Sequence, residues 1–448
     1  MFGINRCFIL CAIIFIAQSA DVALGQPADD LIVLDVEKAV ELALQLNPNL
    51  KIARDNEELA DAQIREISAG ALPRISLTSN YSRNIQRPAF FFKIGEEVQK
   101  IEIGENNSYV ANIQFEQTIF QSGQFGVHKA RKIANLFSGV SREGTKLTKD
   151  QVILNVRRAF YTVLLSQQVA DVFRETLAQS EAHVDNVKKK YEQGVAAEFD
   201  LLRSEVDRSE AQAGLIEARN NLKLAKSALK NAIGLALDQP LNVTGTLEYQ
   251  PITEEEVVRM AKQALQSRPE MKQLNLQLEM ARLNTSIQKG GYLPSLSLVG
   301  NYQFQGQSSD LRFGATERST SLTTGISLRF DIFNGFATNA RIQQAQAQAS
   351  KILHQMDTIG QFIELEVEQA ALRMQDAQER IAARQKSVAH AQKAYNIAEV
   401  RYDSGLGTQL ELFDARLALN RTKTNYLQAI YDYNIALFEW QKAAGIIQ

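Results

Sequence analysis

Two carboxylates near the end of the chain have a spacing that could serve chemistry. Glu411 and Asp414 are three residues apart, so on a helix they share one face. Thr408 and Glu411 also match the T-x-x-E capping box, in which two side chains close a helix N-terminus. Asp414 lies beyond the first helical turn, so capping explains it less well. Glu411 therefore fits a cap and a functional site equally, whereas Asp414 favours a functional site.

The side chains that usually carry catalysis are few and scattered. No metal-ligand spacing connects the four histidines, His128, His183, His354 and His390, so we interpret them as solvated or interhelical residues. The sequence contains no nucleophile elbow, phosphate-binding loop or Cys/His pair. We therefore expect no enzyme and no cofactor.

The N-terminal segment 1–25 has the pattern of a secretory signal. Arg6 precedes a short apolar run, and small residues at 23–25 offer a cleavage site. The run is too short for a membrane-spanning anchor. Cys7 and Cys11 both lie inside this segment, so the mature chain would have neither disulfides nor thiolate metal sites. Cys11 follows Leu10 in the middle of the signal, so we expect no lipid anchor.

Charge and hydropathy exclude two further classes. The 448 residues include 49 basic and 51 acidic side chains, a net charge of -2, which provides no basic patch for nucleic acid. Mean hydropathy is -0.21. Beyond the N-terminus no stretch of ~20 apolar residues exists, so we predict no transmembrane helix.

Helix formers dominate two long stretches without proline, 89–239 and 295–448. We predict a helix of ~68 residues, spanning ~100 Å, in each of them. Shorter helices should follow each long one and precede each proline-bounded strand segment. The predicted long helices are ~124–192 and ~336–403, those that follow are ~199–233 and ~409–444, and those before the strands are ~49–70 and ~270–290.

The shorter helices carry coiled-coil seams, in which apolar residues alternate at spacings of four and three. Small alanines at alternate positions would allow close approach of the neighbouring helix. An ordinary helical core stripe also fits one seam, but it does not explain helices several times the average length. The first seam is Ala211, Leu215, Ala218, Leu222, Ala225, Leu229 and Ala232; the second is Thr422, Tyr426, Ala429, Tyr433, Ala436, Trp440 and Ala443.

The chain repeats itself at a spacing of ~210 residues. The segment 47–50 (NPNL) matches 268–271 (RPEM), and 72–77 (LPRISL) matches 293–298 (LPSLSL). The turns YEQG at 191–194 and YDSG at 402–405 also correspond. We therefore predict one duplicated unit rather than two unrelated domains: a first repeat at 26–234, a linker at 235–252 and a second repeat at 253–448.

Four segments alternate between apolar and polar residues with the period of a β-strand: ~74–86, ~107–120, ~294–306 and ~319–333. Each is long enough for a transmembrane strand of ~9–11 residues. An apolar face and a polar face are typical of a barrel around water. Four strands cannot close alone, since barrels begin at about eight, so copies of the chain must share strands. The residues allow two, three or four copies. The alternative is a periplasmic coiled-coil adaptor or spacer whose two soluble hairpins each have one wet face.

These features together resemble the TolC-type outer membrane efflux proteins, over essentially all of the mature chain. The most specific marks are the paired turns at 191–202 (YEQGVAAEFDLL) and 402–415 (YDSGLGTQLELFDA), each after a ~68-residue helix in a duplicated frame. The resemblance implies an α+β membrane protein, a duplicated β-hairpin plus long coiled-coil helices. It implies a homotrimer with a 12-stranded β-barrel in the outer membrane and an α-helical barrel across the periplasm.

The resemblance also implies a function and partners. The chain would be the outer membrane exit duct of a tripartite efflux or type I secretion system in a Gram-negative bacterium. It would passively export cargo delivered by an inner-membrane transporter and a periplasmic adaptor protein. The linker near 235–255 would contribute to an equatorial belt. The class of cargo is not readable from the residues.

Residue by residue, the resemblance assigns a gate and a docking surface to the periplasmic tips. Glu411 and Asp414 fall at acidic rings of the entrance, and Asp200 and Tyr402 fall in a network that closes the gate. The arginine of that network is replaced by Gly407, for which Arg401 or Arg203 could substitute. The residues implied to contact the adaptor are Gly194, Val195, Gly405 and Leu406.

Overall fold

The structure, a computed structural model, describes residues 32–95, 97–252, 267–310 and 318–447. The predicted signal at 1–25, with both cysteines, lies outside the described residues. None of the described helices combines the length and the apolar character needed to cross a bilayer.

The described residues form seven α-helices and nine strands. In chain order they are β1 Ile32–Leu34, α1 Val36–Leu46, α2 Pro48–Ala69, β2 Arg74–Arg83, β3 Ala89–Ile94, β4 Glu97–Glu102, β5 Asn107–Gln121, β6 Gln124–Phe125, α3 His128–Glu192, α4 Glu198–Ile233, β7 Leu241–Val243, α5 Pro269–Lys289, β8 Ser295–Ser308, β9 Arg318–Arg329, α6 Ala337–Asp403 and α7 Gln409–Ala443. A short 3-10 turn, Gly290–Tyr292, joins α5 to β8.

Two long helices set the length of the molecule. α3 has 65 residues and α6 has 67, so each is about 100 Å long. α3 begins at His128, later than the predicted ~124, because Gln124–Phe125 folds back to pair with the end of β5. Ser122 and Gly123 make that turn with φ of 52° and 73°.

The shorter helices form a second column beside each long one. α4 and α2 both pack along α3, whereas α7 and α5 both pack along α6. α3 also contacts α5 and α7, and these contacts join the two repeats. Each repeat is thus a pair of parallel columns, one continuous and one made of two helices placed end to end.

Asn47 makes the joint between α4 and α2. Its side-chain amide donates to the carbonyl oxygen of Ala232, in the last turn of α4, at 2.8 Å. Its side-chain oxygen accepts the N–H of Asn49 at 2.9 Å and so caps α2. One side chain therefore closes the C-terminus of one helix and the N-terminus of the next.

Arg268 makes the equivalent joint between α7 and α5. Its guanidinium donates to the carbonyl oxygens of Lys442 and Ala443 at 3.2 and 3.1 Å. The side chain is only 6% exposed and also pairs with Glu270 and Glu366, each at 2.8 Å. A buried cation with two carboxylates and two carbonyl oxygens has the partners that offset its loss of water.

The predicted seams lie in the core. In the first seam Ala211, Leu215, Ala218, Ala225 and Leu229 are buried. In the second, the largest buried side chains are Tyr433 and Trp440, again at seam positions. The main apolar cluster lies at mid-length, where α1 and the parallel pair β1–β7 cover α3 and α4. The pattern of residues 36–46 did not lead us to predict α1, whose N-cap is Asp35.

The four long strands form one antiparallel sheet in the order β2-β5-β8-β9. Paired residues of an antiparallel sheet share a face, so the register decides which side chains lie together. Leu77, Ile113, Tyr302 and Leu322 form one row across all four strands, whereas the next row on the opposite face is Ser76, Gln114, Asn301 and Thr323. The alternation of the sequence therefore produces one apolar and one polar face.

β9 ends at Arg329, whereas the alternation predicted a strand to ~333. The last pair is Ser295 with Arg329, and the residue before Ser295 is Pro294, which has no N–H to donate. β2 likewise ends at Arg83, short of the predicted ~86, at its last pair with Asn107. Between β2 and β5, β3 and β4 pair as a separate hairpin that was not predicted.

Candidate functional site

The two helical turns at the tips have the same backbone construction. After α3, the N–H of Val195 bonds to the carbonyl oxygen of Lys190; after α6, the N–H of Leu406 bonds to that of Arg401. Gly194 and Gly405 supply the left-handed residue, with φ of 72° and 73°. The duplicated turns of the sequence are therefore duplicated in structure.

The four residues predicted to contact an adaptor lie in the two turns that follow α3 and α6. Val195 and Leu406 are each 75% exposed, and nothing lies within 4 Å of the position a Cβ would take at Gly194 or Gly405. Two apolar side chains thus lie exposed at equivalent turns of the two hairpins.

Gly407 leaves no room for a side chain. A Cβ there would lie 3.0 Å from the Cβ of Arg401 and 3.1 Å from the backbone nitrogen of Tyr402. Arg401 instead donates to the carbonyl oxygen of Leu406 at 3.1 Å. Its guanidinium also lies 3.8 Å from the carboxylate of Glu411.

Among the described residues, Glu411 contacts the side chains of Thr408 and Arg401. Thr408 accepts the backbone N–H of Glu411 through its hydroxyl at 3.2 Å, which confirms Thr408 as the N-cap of α7. The carboxylate itself lies near Arg401, and both side chains are about half exposed. An exposed pair of this kind is worth little, typically about 0–1 kcal/mol, so Glu411 keeps a carboxylate open to solvent.

Asp414 lies one turn further along α7 and is exposed. It lines a cavity of about 640 Å³ between α3, α4 and α7. The other charged residues of that cavity are Arg203, Asp207, Glu210, Arg416 and Arg421. The capping contact does not involve Asp414, as the sequence indicated.

Asp200 and Tyr402 lie near each other but share no hydrogen bond within the described chain. The carboxylate of Asp200 accepts the N–H of Ala197 at 3.4 Å and so caps α4. Burial, together with the negative charges of Asp200 and Asp403, raises the pKa of the Tyr402 phenol. Lys190 lies over the Tyr402 ring at 4.7 Å.

His183 is a tip residue whose position the sequence did not reveal. Its ring lies 5.0 Å from that of Tyr402 and 5.4 Å from that of Phe413. Its Nε2 is 3.1 Å from the side-chain amide nitrogen of Gln409. Burial lowers the pKa of His183 to about 4, so the ring is neutral at neutral pH. It belongs to the interhelical class that we predicted for the histidines.

A buried ion pair joins the two repeats behind the tips. Arg416 of α7 pairs with Asp207 of α4, with side-chain exposures of 6% and 18%. Arg416 also lies 5.0 Å from the Phe413 ring. No local sequence signal could have paired these residues, because their separation along the chain exceeds 200 positions.

The tips contain no metal-binding constellation. Among the described residues, no group of three or more His, Cys, Asp or Glu side chains could hold a metal ion. The tips thus combine exposed apolar turns, exposed carboxylates and a buried polar contact between two helical hairpins.

Comparison with known proteins identifies where this arrangement recurs. Residues 39–235 and 260–445 match the family described as "Outer membrane efflux protein". The two matched segments follow the two structural repeats and leave out most of the connection between them.

Individual relatives and a solved structure point to the same family. The chain is 22% identical to the outer membrane protein TolC of Vibrio cholerae, with 90% of this chain and 89% of that protein covered. It is 22% identical to the alkaline protease secretion protein AprF of Pseudomonas aeruginosa, covering 94% and 86%. The fold matches the crystal structure of the Campylobacter jejuni CmeC outer membrane channel with a TM-score of 0.74 at 18% identity, covering 92% and 85%.

Proposed function

The chain belongs to the outer membrane efflux protein family, and from that premise we propose that it is the outer membrane exit duct of a tripartite efflux or type I secretion system. The family description and the relatives named outer membrane protein TolC and outer membrane efflux protein support an outer membrane location and a transport role. Relatives are named for efflux and for protease secretion, so the proposed duct includes both classes of cargo.

The observation that carries the proposal is the exposed apolar face of the four-stranded sheet. Ile75, Leu77, Leu322, Ile326 and Leu328 are each about 70% exposed on the face that the register makes continuous. So many large apolar side chains on one face indicate contact with a nonaqueous partner. The opposite face, rich in Ser, Thr, Asn and Gln, suits a water-filled interior.

The sheet supports assembly from several copies. β2 and β9 are the outer strands of the order β2-β5-β8-β9, and each has one paired side in the described residues. Lipid does not tolerate an open sheet edge, so β2 of one copy would pair with β9 of the next. We propose the homotrimer of the family, with twelve strands in one barrel and twelve helical columns around a periplasmic tunnel.

The mid-length region supports the proposed equatorial belt. The linker 235–252 contains β7, which pairs with β1, and its Tyr249 packs on Tyr433 with ring centroids 4.8 Å apart. Cargo would pass this region passively, through the tunnel that the helical columns surround.

The tips support the remaining assignments. Val195 and Leu406, with their glycines Gly194 and Gly405, are the proposed docking points for the periplasmic adaptor, which links the duct to an inner-membrane transporter. Glu411 and Asp414 are the proposed acidic gate, because in three copies their exposed carboxylates would surround the entrance and attract cations. Asp200 and Tyr402 are proposed to close it between neighbouring hairpins.

The lipid-facing assignment has a sharp test. Leu322→Arg places a charge near the middle of β9 on the apolar face and should destabilise membrane assembly by about 2–4 kcal/mol. Crosslinking and fractionation of outer membranes should then show a reduced trimer. Thr323→Arg, one residue away on the polar face, is the matched control and should assemble normally. Equal tolerance of both variants would favour the soluble adaptor or spacer instead.

The gate assignment is tested in planar bilayers. Glu411→Gln together with Asp414→Asn should weaken block of the channel by a trivalent lanthanide ion about tenfold. Glu198→Gln, which removes an exposed carboxylate at the other tip, should leave block unchanged. Full block in the double variant would remove these two residues from the pore.

A further inference from the structure

A hairpin at one end of the sheet carries three consecutive phenylalanines. It consists of β3 and β4, which pair with each other and with no other described strand, and we name it the outer hairpin. Phe90, Phe91 and Phe92 of β3 are 56%, 68% and 49% exposed. An isolated two-stranded hairpin is marginally stable in water, and several large apolar side chains exposed together mark a contact surface. The outer hairpin therefore has the features of a docking surface.

The outer hairpin lies at the end of the sheet remote from the helices. β2 runs away from α2, and β5 runs back toward α3, so the connection between the two strands, 84–106, is at the far end. In the proposed duct this end is the outer mouth of the barrel, where cargo leaves.

The register gives the outer hairpin two unlike faces. Phe90 pairs with Ile101, and Phe92 pairs with Gln99, so these four side chains share a face. Three of the four are large and apolar, and Ile101 is 47% exposed. The charged residue that the register adds to this face, Glu97, lies next to the turn. We name the surface of Phe90, Phe92, Ile101 and Gln99 the phenylalanine face.

The opposite face carries charged side chains. Phe91 pairs there with Lys100, and the next pair on that face includes Glu102. The carboxylate of Glu102 pairs with Arg87 at 2.8 Å and with Lys100 at 2.9 Å, and all three side chains are more than a third exposed. Exposed ion pairs keep their hydration at little cost. A partner should therefore cover the phenylalanine face and leave the opposite face in water.

The charge of the connection favours a second copy of this chain over lipid as the partner. Residues 84–106 include three basic and four acidic side chains, a net charge of -1. A membrane surface with anionic headgroups attracts basic segments, so it would not attract this one. A second copy presents the same apolar face, and aromatic rings gain free energy from packing edge to face on one another.

The outer hairpin is long enough to meet its copies at the axis of the proposed barrel. β3 has six residues, so it extends about 20 Å. A barrel of twelve strands, about 4.8 Å apart and tilted by about 40°, has a radius of about 12 Å. β2, which leads into the outer hairpin, is also the outer strand that would pair with the next copy. Each hairpin thus begins beside a neighbouring copy and can reach the other two.

We propose that the phenylalanine faces of three copies pack together across the outer mouth of the barrel and narrow it with an apolar ring. Phe90 and Phe92 of each copy supply the aromatic side chains that the single chain leaves exposed. An apolar constriction holds water and ions poorly, so the ring restricts leakage through the outer end of the duct. This inference rests on the proposed function, because the ring requires three copies around one barrel.

Cysteine crosslinking in outer membranes tests the contact. Both native cysteines, Cys7 and Cys11, lie in the predicted signal, so a single introduced cysteine reports alone. Phe92→Cys should give a dimer with a short bis-maleimide, because the ring brings this position of two copies together. Lys93→Cys, the matched control on the opposite face, should give about tenfold less dimer. Equal dimer from the two variants, or none from Phe92→Cys, would overturn the proposal.

Thiol labelling of intact cells measures the narrowing at the outer mouth alone. Gln114→Cys places a thiol on the polar face of β5, which is the proposed interior of the barrel. A bulky, membrane-impermeant maleimide should label it about tenfold faster when Phe90→Ser and Phe92→Ser are added, because the apolar ring is then lost. Phe91→Ser, on the opposite face of the hairpin, is the control and should leave the rate unchanged. An unchanged rate in the double serine variant refutes the ring.

Two further outcomes separate this inference from its alternatives. The emission added by Phe92→Trp should be unaffected by brominated lipids, whereas quenching would assign the phenylalanine face to the bilayer. Trp440, the native tryptophan, is 1% exposed and gives a constant background. If the wild-type chain forms no trimer in the outer membrane, the proposed function fails. If the trimer forms and Phe92→Cys gives no dimer, the ring alone fails.

Discussion

Two buried arginines, one at mid-length and one behind the tips, show how similar burial leads to different joints. The side chains of Arg268 and Arg416 are each 6% exposed. Arg268 has two carboxylates and two carbonyl oxygens around it, from α5, α6 and α7. Within the ranges that the structure describes, Arg416 has one carboxylate partner, that of Asp207, whose second oxygen accepts no hydrogen bond.

The two arginines differ in how many hydrogen bonds and ion pairs offset the loss of water from the guanidinium. A guanidinium with hydrogen bonds on several sides is a permanent joint, because any movement would lose all of them together. A guanidinium with a single partner can separate when water or another group takes that partner's place. The joint at mid-length should therefore be the stronger of the two.

The largest effect should come from breaking the permanent joint. Arg268→Met leaves Glu270 and Glu366 without their shared cation, and it removes the guanidinium donor from the carbonyl oxygens of Lys442 and Ala443. We expect a loss of about 3–5 kcal/mol in the free energy of unfolding, measured by thermal or denaturant unfolding. Arg174→Met, which removes an exposed partner of Asp171, should cost no more than about 0.5 kcal/mol. A similar small cost at Arg268 would contradict the comparison.

Acid should have the next largest effect, and at the tip it acts through His183. The pKa of His183 is about 4 when folded and about 6.5 when unfolded, so unfolding takes up a proton between these values. Stability of the tip is therefore complete above pH 6.5 and falls by about 3 kcal/mol as the pH drops to 4. Protonation also turns Nε2 from an acceptor into a donor that faces the amide of Gln409.

The charged groups around His183 oppose one another. Arg416 of α7 and Lys190 of α3 disfavour its protonation, whereas Asp207 of α4 and Asp403 of α6 favour it. Hydrogen exchange of the tip amides between pH 4 and 7 measures the effect, and His183→Gln should abolish its pH dependence. Uniform loosening of the mid-length helices over the same range would assign the effect to other groups.

The smallest effect should come from the joint of the first repeat. Asn47 stands where Arg268 stands in the second, but it is neutral and contributes one bond to Ala232 and a cap to α2. Asn47→Ala should cost about 1–2 kcal/mol in thermal unfolding, since it removes a helix cap. Asn47→Ser keeps a capping oxygen and loses the amide donor, so it should recover part of this loss. A cost as large as that of Arg268→Met would show that charge is not what distinguishes the joints.

Much of this architecture was visible in the sequence because it depends on local periodicity. The strand predicted at ~107–120 is observed at Asn107–Gln121, and the helix predicted at ~336–403 is observed at Ala337–Asp403. The start of α3 was predicted too early, because Gln124 and Phe125 form β6 and pair with the end of β5. The ends of β2 and β9 were missed because a strand stops where its partner stops, which alternation does not record.

The site was visible in part. Thr408 and Glu411 could be read as a cap from four consecutive residues, and the glycines of the turns from their duplication. The proposed roles of Glu411, Asp414, Asp200 and Tyr402 came from resemblance and stay predictions. Arg401 was one of two candidates to replace the missing arginine, and the structure places it near Glu411, whereas Arg203 lies over the Phe413 ring at 5.8 Å.

The sequence by itself determined the helices, the strand alternation and the duplication, because each of these is set by residues within a few positions of one another. Only the tertiary structure decided which face of the sheet is continuous, that Arg268 and Asn47 join helices end to end, and that Arg416 meets Asp207. These contacts bring together residues nearly 180 to more than 200 positions apart, and the packing of whole helices, rather than any local preference, sets the distance between them.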